Sequence, residues 1–183
     1  MRALILNGEH PARPLTHIQA ALSAALREAG YQVESITLHQ TSIKHCVGCW
    51  GCWVKTPGEC VIQDDNPAIA DRVINSDLVV LLSPVTFGGY SAELKRFLDH
   101  MIPLIMPYFT RINGEVHHKT RYEHYPDLLG VGVLDAPHPA QAALFDELIA
   151  RNALNMHATH TDSVVVTSDA QPQFHTLFTP EAT

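Results

Sequence analysis

The sequence lacks a long hydrophobic run, a cluster of basic side chains and a glycine-rich dinucleotide fingerprint, and each absence removes a class of function. Its most apolar stretch, DLVVLLSPV (77–85), is interrupted by Pro84, well short of the roughly 20 residues that cross a bilayer. MRALILNGEH has one arginine and only a short apolar run before Asn7. A secretory leader needs a longer apolar core and a small-residue cleavage site, so the expectation is a soluble, cytoplasmic protein with no membrane partner. Twelve Lys and Arg against nineteen Asp and Glu give a net charge of −7. That excludes a groove tracking nucleic-acid phosphates, which relies on clustered cations. One small phosphate stays possible, because the amides at a helix N-terminus supply the positive end themselves. Cysteine is scarce as well: four in the chain, all between Cys46 and Cys60.

What is present suits one compact domain spanning 1–183, with 46% apolar and 17% charged residues. The twelve histidines are dispersed from His10 to His175, with one adjacent pair at 117–118, and read as solvated side chains. Apolar runs alternate with helical periodicity. Strands are expected at 2–7, 31–38, 77–83, 127–134 and 161–168, and helices at 15–30, 64–76, 89–104 and 139–154. The acidic pair ahead of Pro67 reads as capping-type. Segment 105–127 carries aromatics, arginines and an Asn113-Gly114 turn and reads as an excursion from the sheet, while 169–183 reads as an irregular tail. Five strands alternating with helices predict an α/β protein with a doubly wound parallel sheet and helices on both faces. With five strands and no G-x-G-x-x-G, the flavodoxin-like order 2-1-3-4-5 fits best.

Ligands of such sheets sit at the carboxyl ends of the strands, at the switch between the first and third. That nominates loops 7–16, 83–90 and 134–139. In NGEHPARPLTH, Gly8 turns the chain, and amides near Thr16 at the helix start suit a phosphate, with Arg13 as a charge-assisted partner. Ordinary capping by Thr16 explains the same residue. Glu9 and two prolines act against phosphate, through repulsion and missing amides. In SPVTFGGYSAELK, Pro84 fixes the turn after Ser83, Gly88 and Gly89 allow close backbone approach, and Phe87 offers an aromatic edge to a flat ligand.

LNG followed after seven residues by Thr16, GCWGCWVKTPGECVIQDD, LLSPVTFGGYSAELKRFLDHMIPLIMPYF and RYEHYPDLLGVGVL together resemble the NADPH-dependent FMN reductase family, over roughly residues 2–160. The resemblance implies FMN at the carboxyl edge of the sheet, NADPH or NADH as donor, and flavins, quinones or similar small molecules as acceptors. It places Pro84, Val85, Phe87 and Gly88 along the isoalloxazine ring, with Thr86 contributing backbone where the family often has an aromatic residue. It implies a homodimer or higher homo-oligomer, in which the 105–127 excursion helps to cover the flavin. The phosphate loop departs from the family's usual G-S-P-R-x-x-G-N-T. GEHPARPLT keeps Gly8 and Thr16 but has Glu9 at the serine position, and Arg13 stands in from two residues later. A non-catalytic relative that has lost FMN is therefore a further reading. No side chain needs to act as acid or base in hydride transfer to a flavin, so no catalytic residue is assigned.

Cys46, Cys49, Cys52 and Cys60 follow a C-x-x-C-x-x-C run with a fourth thiol shortly after. A reducing compartment disfavours disulfides, and zinc usually takes two separated C-x-x-C turns. A compact run suits an iron–sulfur cluster, and here there is partial similarity to iron–sulfur flavoproteins on the same fold. The neighbouring residues favour metal-free thiols near the flavin, one of them redox-active if its pKa is lowered. The cluster stays open as the alternative.

Overall fold

The computed structural model describes residues 1–178. Five parallel strands form one sheet: β1 (Arg2–Asn7), β2 (Gln32–Thr37), β3 (Leu78–Pro84), β6 (Asp127–Leu134) and β7 (Thr161–Thr167), in the order β2-β1-β3-β6-β7. Counting parallel strands alone, this is the order 2-1-3-4-5. The intervening β4 (Ile105–Ile112) and β5 (Glu115–Thr120) pair antiparallel as a separate hairpin. Asn113 and Gly114 close it with φ of 51° and 87°, the pair of positive angles that a two-residue I′ turn requires.

Period-two side chains divide the sheet's burial between two clusters. Ala3 and Ile5 pack with Val80, Leu82 and Val131 against Ile18, Leu22 and Leu26 of α1 (Thr16–Glu28). Leu4 and Leu6 pack with Val79 and Leu81 against three other helices. These are α3 (Asn66–Ile74), α4 (Ala92–Leu98) and α5 (Pro139–Asn155), which contribute Val73, Phe97 and Phe145 among others. β1 and β3 run apolar almost without a break because both of their faces are covered.

Three local expectations change. The helix expected over 89–104 ends at Leu98, and a 3₁₀ turn follows over Ile102–Leu104. Pro103 lacks an amide and disfavours helical geometry at Ile102, so the α-helix cannot continue through it. Asp65 precedes α3 but caps it with no side-chain bond. Its carboxylate accepts the Ser42 amide at 2.7 Å, while Asp64 accepts the amides of Lys44 and Asn66, each at 2.9 Å. The acidic pair thus pins the two ends of the cysteine segment together. In the tail, a 3₁₀ turn covers Phe174–Leu177, and Phe174 is buried in the α1 cluster. Its anchor is packing against α1, with Leu177 and Phe178 on the same cluster, which has no periodic signature. The rest of the expected irregular tail, 179–183, lies outside the described residues.

Glycine in β6 sets how closely α5 lies on the sheet. A methyl group at Gly130 would stand 2.4 Å from Ile149 Cδ1, and one at Gly132 would stand 2.8 Å from Val85 Cγ2. Gly130→Ala is expected to lower stability by about 1–3 kcal/mol through overpacking, read as a fall in the urea midpoint at unchanged m. An unchanged midpoint would mean that α5 can lift off at no cost.

Candidate functional site

The carboxyl ends of β1, β3 and β6 present three loops along one edge. The middle loop leaves β3 through a pinned turn. Ser83 is fully buried; its hydroxyl donates to Pro84 O at 2.9 Å and accepts the Ser91 amide at 2.9 Å, which holds the two feet of the loop together. Ser83 is thus part of the framework. The Val85 amide donates to Val133 O at 2.8 Å. Thr86 and Gly89 exchange backbone hydrogen bonds of 3.0 and 2.9 Å, so that Phe87 and Gly88 form the tip. Their φ angles are 51° and 81°. Gly88 is required twice, by that angle and because a methyl group there would meet Leu144 Cβ at 2.7 Å. Phe87 has no such exemption. It is a bulky residue in left-handed geometry with 92% of its surface exposed, an arrangement that costs on the order of 1–3 kcal/mol and concentrates at ligand sites.

The first loop differs from the expected phosphate cradle. Gly8 donates its amide to Leu82 O at 2.8 Å and packs so tightly on α4 that a methyl group would stand 2.7 Å from Leu94 Cβ. Thr16 is the first residue of α1 and exposed, while Leu15 is the capping position, so Thr16 does not cap the helix. The Leu15 amide donates to Glu9 Oε2 at 2.7 Å. Asn7 Nδ2 donates to the same oxygen at 3.0 Å and to Gln19 Oε1 at 2.8 Å. Glu9 is 8% exposed and Asn7 is 1% exposed. The chain's own carboxylate therefore sits at the mouth of α1. Arg13 forms an exposed ion pair with Asp135 of the third loop, bridging the two outer loops. In that third loop His138 Nδ1 accepts the Gln141 amide at the start of α5, and Gln141 Oε1 in turn accepts the Gly88 amide at 3.3 Å.

For a flavin, these residues fit at one end and not at the other. The exposed aromatic tip and tight turn after β3 suit the edge of a flat ring. The β1–α1 loop, where a flavin phosphate would lie in this fold, already holds an anion. The sequence marks Glu9 as opposing phosphate; its place as acceptor at the mouth of α1, and the Asn7–Gln19 pair that steadies it, are arrangements that composition alone does not show. The available signal is an acidic residue two positions after the strand, ahead of a helix with no acidic residue in its first turn.

The cysteines converge in space. Cys46, Cys49, Cys52 and Cys60 line one small cavity of about 20 Å³ with Asp99, His100 and Pro103, and with no residue of the three edge loops. Trp50 takes a left-handed φ of 56° and starts a single helical turn, α2 (Gly51–Val54), where a loop was expected. The Trp53 indole donates to Ile102 O and Ile105 O at 3.2 and 3.0 Å and stacks on Trp50 at 4.8 Å. Burial first, then the nearby Cys60 thiol, pushes the Cys52 thiol above its ordinary range; burial pushes Cys60 up as well. The lowered pKa expected of a reactive thiol is absent at these two positions. His100 is 2% exposed, and neither ring nitrogen has a partner among the described residues. Among the described residues no three His, Cys, Asp or Glu side chains converge closely enough for a single metal ion. Four thiols around one small, mostly apolar space suit a cubane as a donor set, since a cluster holds its thiolates farther apart than one tetrahedral ion does. Uptake would require the loop to spread beyond its present cavity.

Comparison with known proteins follows the same lines. The family model described as NADPH-dependent FMN reductase matches residues 1–168. An iron–sulfur flavoprotein of Archaeoglobus fulgidus is 40% identical over 85 residues, covering 45% of this chain and 38% of that one. Another, from Methanocaldococcus jannaschii, is 39% identical over 87 residues, covering 48% and 44%. The chain thus matches less than half the length of these curated relatives. Among solved structures, an NAD(P)H:quinone oxidoreductase from Methanothermobacter marburgensis superposes with a TM-score of 0.66 at 14% identity, covering 97% of this chain and 91% of that one. An azoreductase from Bacillus anthracis gives 0.63 at 15% identity, covering 97% and 92%. At such identities the likeness establishes the fold.

Phe87→Gly is expected to raise the melting temperature, because it removes left-handed strain and loses no buried surface. A gain of about 1 kcal/mol is expected after the entropy cost of glycine. A loss of stability would show instead that contacts of the Phe87 side chain hold the turn.

Proposed function

Because the chain belongs to the NADPH-dependent FMN reductase family, we propose that it is a flavin-dependent oxidoreductase that takes hydride from NADPH or NADH and passes the electrons to a small flat acceptor, such as a quinone or a free flavin. The observation that carries this reading is the Phe87 tip: a strained, exposed aromatic at the carboxyl edge of the sheet, next to the switch point. A bound flavin would supply the redox chemistry, and the protein supplies position and exclusion of water. Val85, Phe87 and Gly88 would line the ring, with Pro84 and the buried Ser83 hydroxyl fixing their approach. Thr86 would contribute its backbone, already committed to the turn with Gly89. The open face of Phe87 leaves room for donor and acceptor to occupy the same place in turn. A homodimer is proposed on the exposed apolar set of Val47, Trp50, Val54, Tyr108, Phe109 and Val116, contributed by the cysteine segment and the hairpin. No described helix is long and apolar enough to cross a membrane.

A second reading adds an iron–sulfur cluster held by Cys46, Cys49, Cys52 and Cys60. It is favoured by the convergence of all four thiols on one cavity and by the similarity to iron–sulfur flavoproteins. Cluster ligation would take the cysteines as thiolates and release their protons, against the burial that favours the protonated form at Cys52 and Cys60.

Protein purified without oxygen is expected to carry or take up flavin, seen as visible absorbance that bleaches on addition of NADPH or NADH. Failure to take up any flavin would sink the proposal and leave the non-catalytic relative. Stoichiometric iron and acid-labile sulfide, lost in Cys49→Ser, would establish the second reading, and iron-free flavoprotein would exclude it.

A further inference from the structure

The β1–α1 loop satisfies most of its own amides. Between positions 8 and 15, the amides of Gly8, Glu9, Ala12, Arg13 and Leu15 all point to internal acceptors: Leu82 O, Asn7 Oδ1, His10 Nδ1, His10 O and Glu9 Oε2. Pro11 and Pro14 have no amide to give. The amides of Thr16, His17 and Ile18 in the first turn of α1 are not among these, so what a phosphate would meet at this mouth depends on whether the dipole is compensated. Here Glu9 compensates it, buried and fixed by Asn7 and Leu15. The one Lys or Arg of the loop, Arg13, is paired with Asp135. That pair is exposed and exchangeable. Glu9 is neither, so it decides what the crevice accepts.

We propose that Glu9 makes this site discriminate against the 5′-phosphate of FMN and accept an unphosphorylated flavin, riboflavin, as the bound or reduced species. This rests on the flavin-dependent reading of the same crevice. A phosphate dianion would meet a fixed carboxylate at the position where the fold would place it, and like charges at such range oppose each other strongly. The terminal ribityl hydroxyl of riboflavin is a donor. A carboxylate accepts at both oxygens, so it receives that hydroxyl while keeping its bonds from Leu15 and Asn7. The residue is thus a specificity determinant, and it leaves the ring end untouched.

Titration of the full-length protein with riboflavin and with FMN, followed by quenching of flavin fluorescence, tests this directly. Wild type is expected to bind riboflavin at least as tightly as FMN. Glu9→Gln keeps an acceptor for the Leu15 amide and removes the charge, so it should shift the ratio of FMN to riboflavin affinity about tenfold toward FMN. Glu9→Ser, which empties the position, should shift the ratio in the same direction, and its thermal melt reports whether the loop still folds. Wild type that prefers FMN to riboflavin, or a ratio that Glu9→Gln leaves unmoved, would overturn the proposal while the flavin-dependent reading stands. Absence of binding by both flavins, to wild type and variants alike, would remove that reading and this one together.

Discussion

The buried hydroxyl of Ser83 is the contact on which the edge of this sheet depends. It ties the end of β3 to the start of α4, accepting the Ser91 amide while donating to Pro84 O. Ser91 in turn caps α4 by accepting the Leu94 amide at 3.2 Å. Everything between these feet, from Pro84 to Tyr90, must then fit a span set by two hydroxyls. The I′ turn at Phe87–Gly88 is the compact solution, and it forces a side chain into left-handed geometry that only glycine takes freely. The strain at Phe87 is therefore sustained by hydrogen bonds elsewhere, made in a place where water cannot compete for them. The same junction limits Gly8, whose position is hemmed in by the Ser91 and Leu94 side chains. Two of the three edge loops are thus set by one packing point.

Against this rigid framework, the charges of the edge are arranged inwardly. Glu9 meets the α1 mouth, Arg13 meets Asp135, and the Gly88 amide meets Gln141. Buried groups of this kind hold their geometry because a missing partner is costly, whereas the Arg13–Asp135 pair lies in water and contributes little to stability. The edge therefore combines a fixed negative charge near one end with an apolar, exposed tip near the middle. On the proposed reading, such a surface would suit a ligand that is flat and aromatic at one end and polar but uncharged at the other. The acidic character of the whole chain, with net charge −7, acts in the same direction on any anion that approaches.

The sheet was legible because parallel strands buried on both faces read as continuous apolar runs, and β6 in particular is delimited by Asp127 and Asp135. The hairpin turn was legible from Asn113-Gly114, since few other pairs take two positive φ angles. Tertiary outcomes were not. Thr16 has the chemistry of a cap, but the space is taken by a carboxylate reaching back from Glu9, seven positions earlier. Asp64 and Asp65 likewise read as caps and serve as staples to Ser42 and Lys44. Polar side chains near a helix start compete for several donors, and which donor wins depends on where a distant strand delivers the partner. Phe174 belongs to the same class, placed by packing in the α1 cluster together with Leu177 and Phe178.

The cysteine segment shows how spacing and placement carry separate information. Thiols three apart on an extended chain would alternate in direction. Here the left-handed turn at Trp50, followed by one turn of helix, folds Cys46, Cys49 and Cys52 toward a common point, and the segment's return brings in Cys60. The base is closed by the acidic pair, and the roof is anchored by the Trp53 indole on two carbonyls at the root of the hairpin. Both supports lie outside the thiols, so they hold the two ends of the segment without using the sulfurs. Its walls come from Asp99–Pro103, the stretch where α4 is broken by proline. The break that local propensity obscured thus gives the thiols their enclosing surface. The thiol cavity shares no lining residue with the three edge loops, so α4, which starts at the Ser83 junction and ends at the thiol pocket, is the element that joins them.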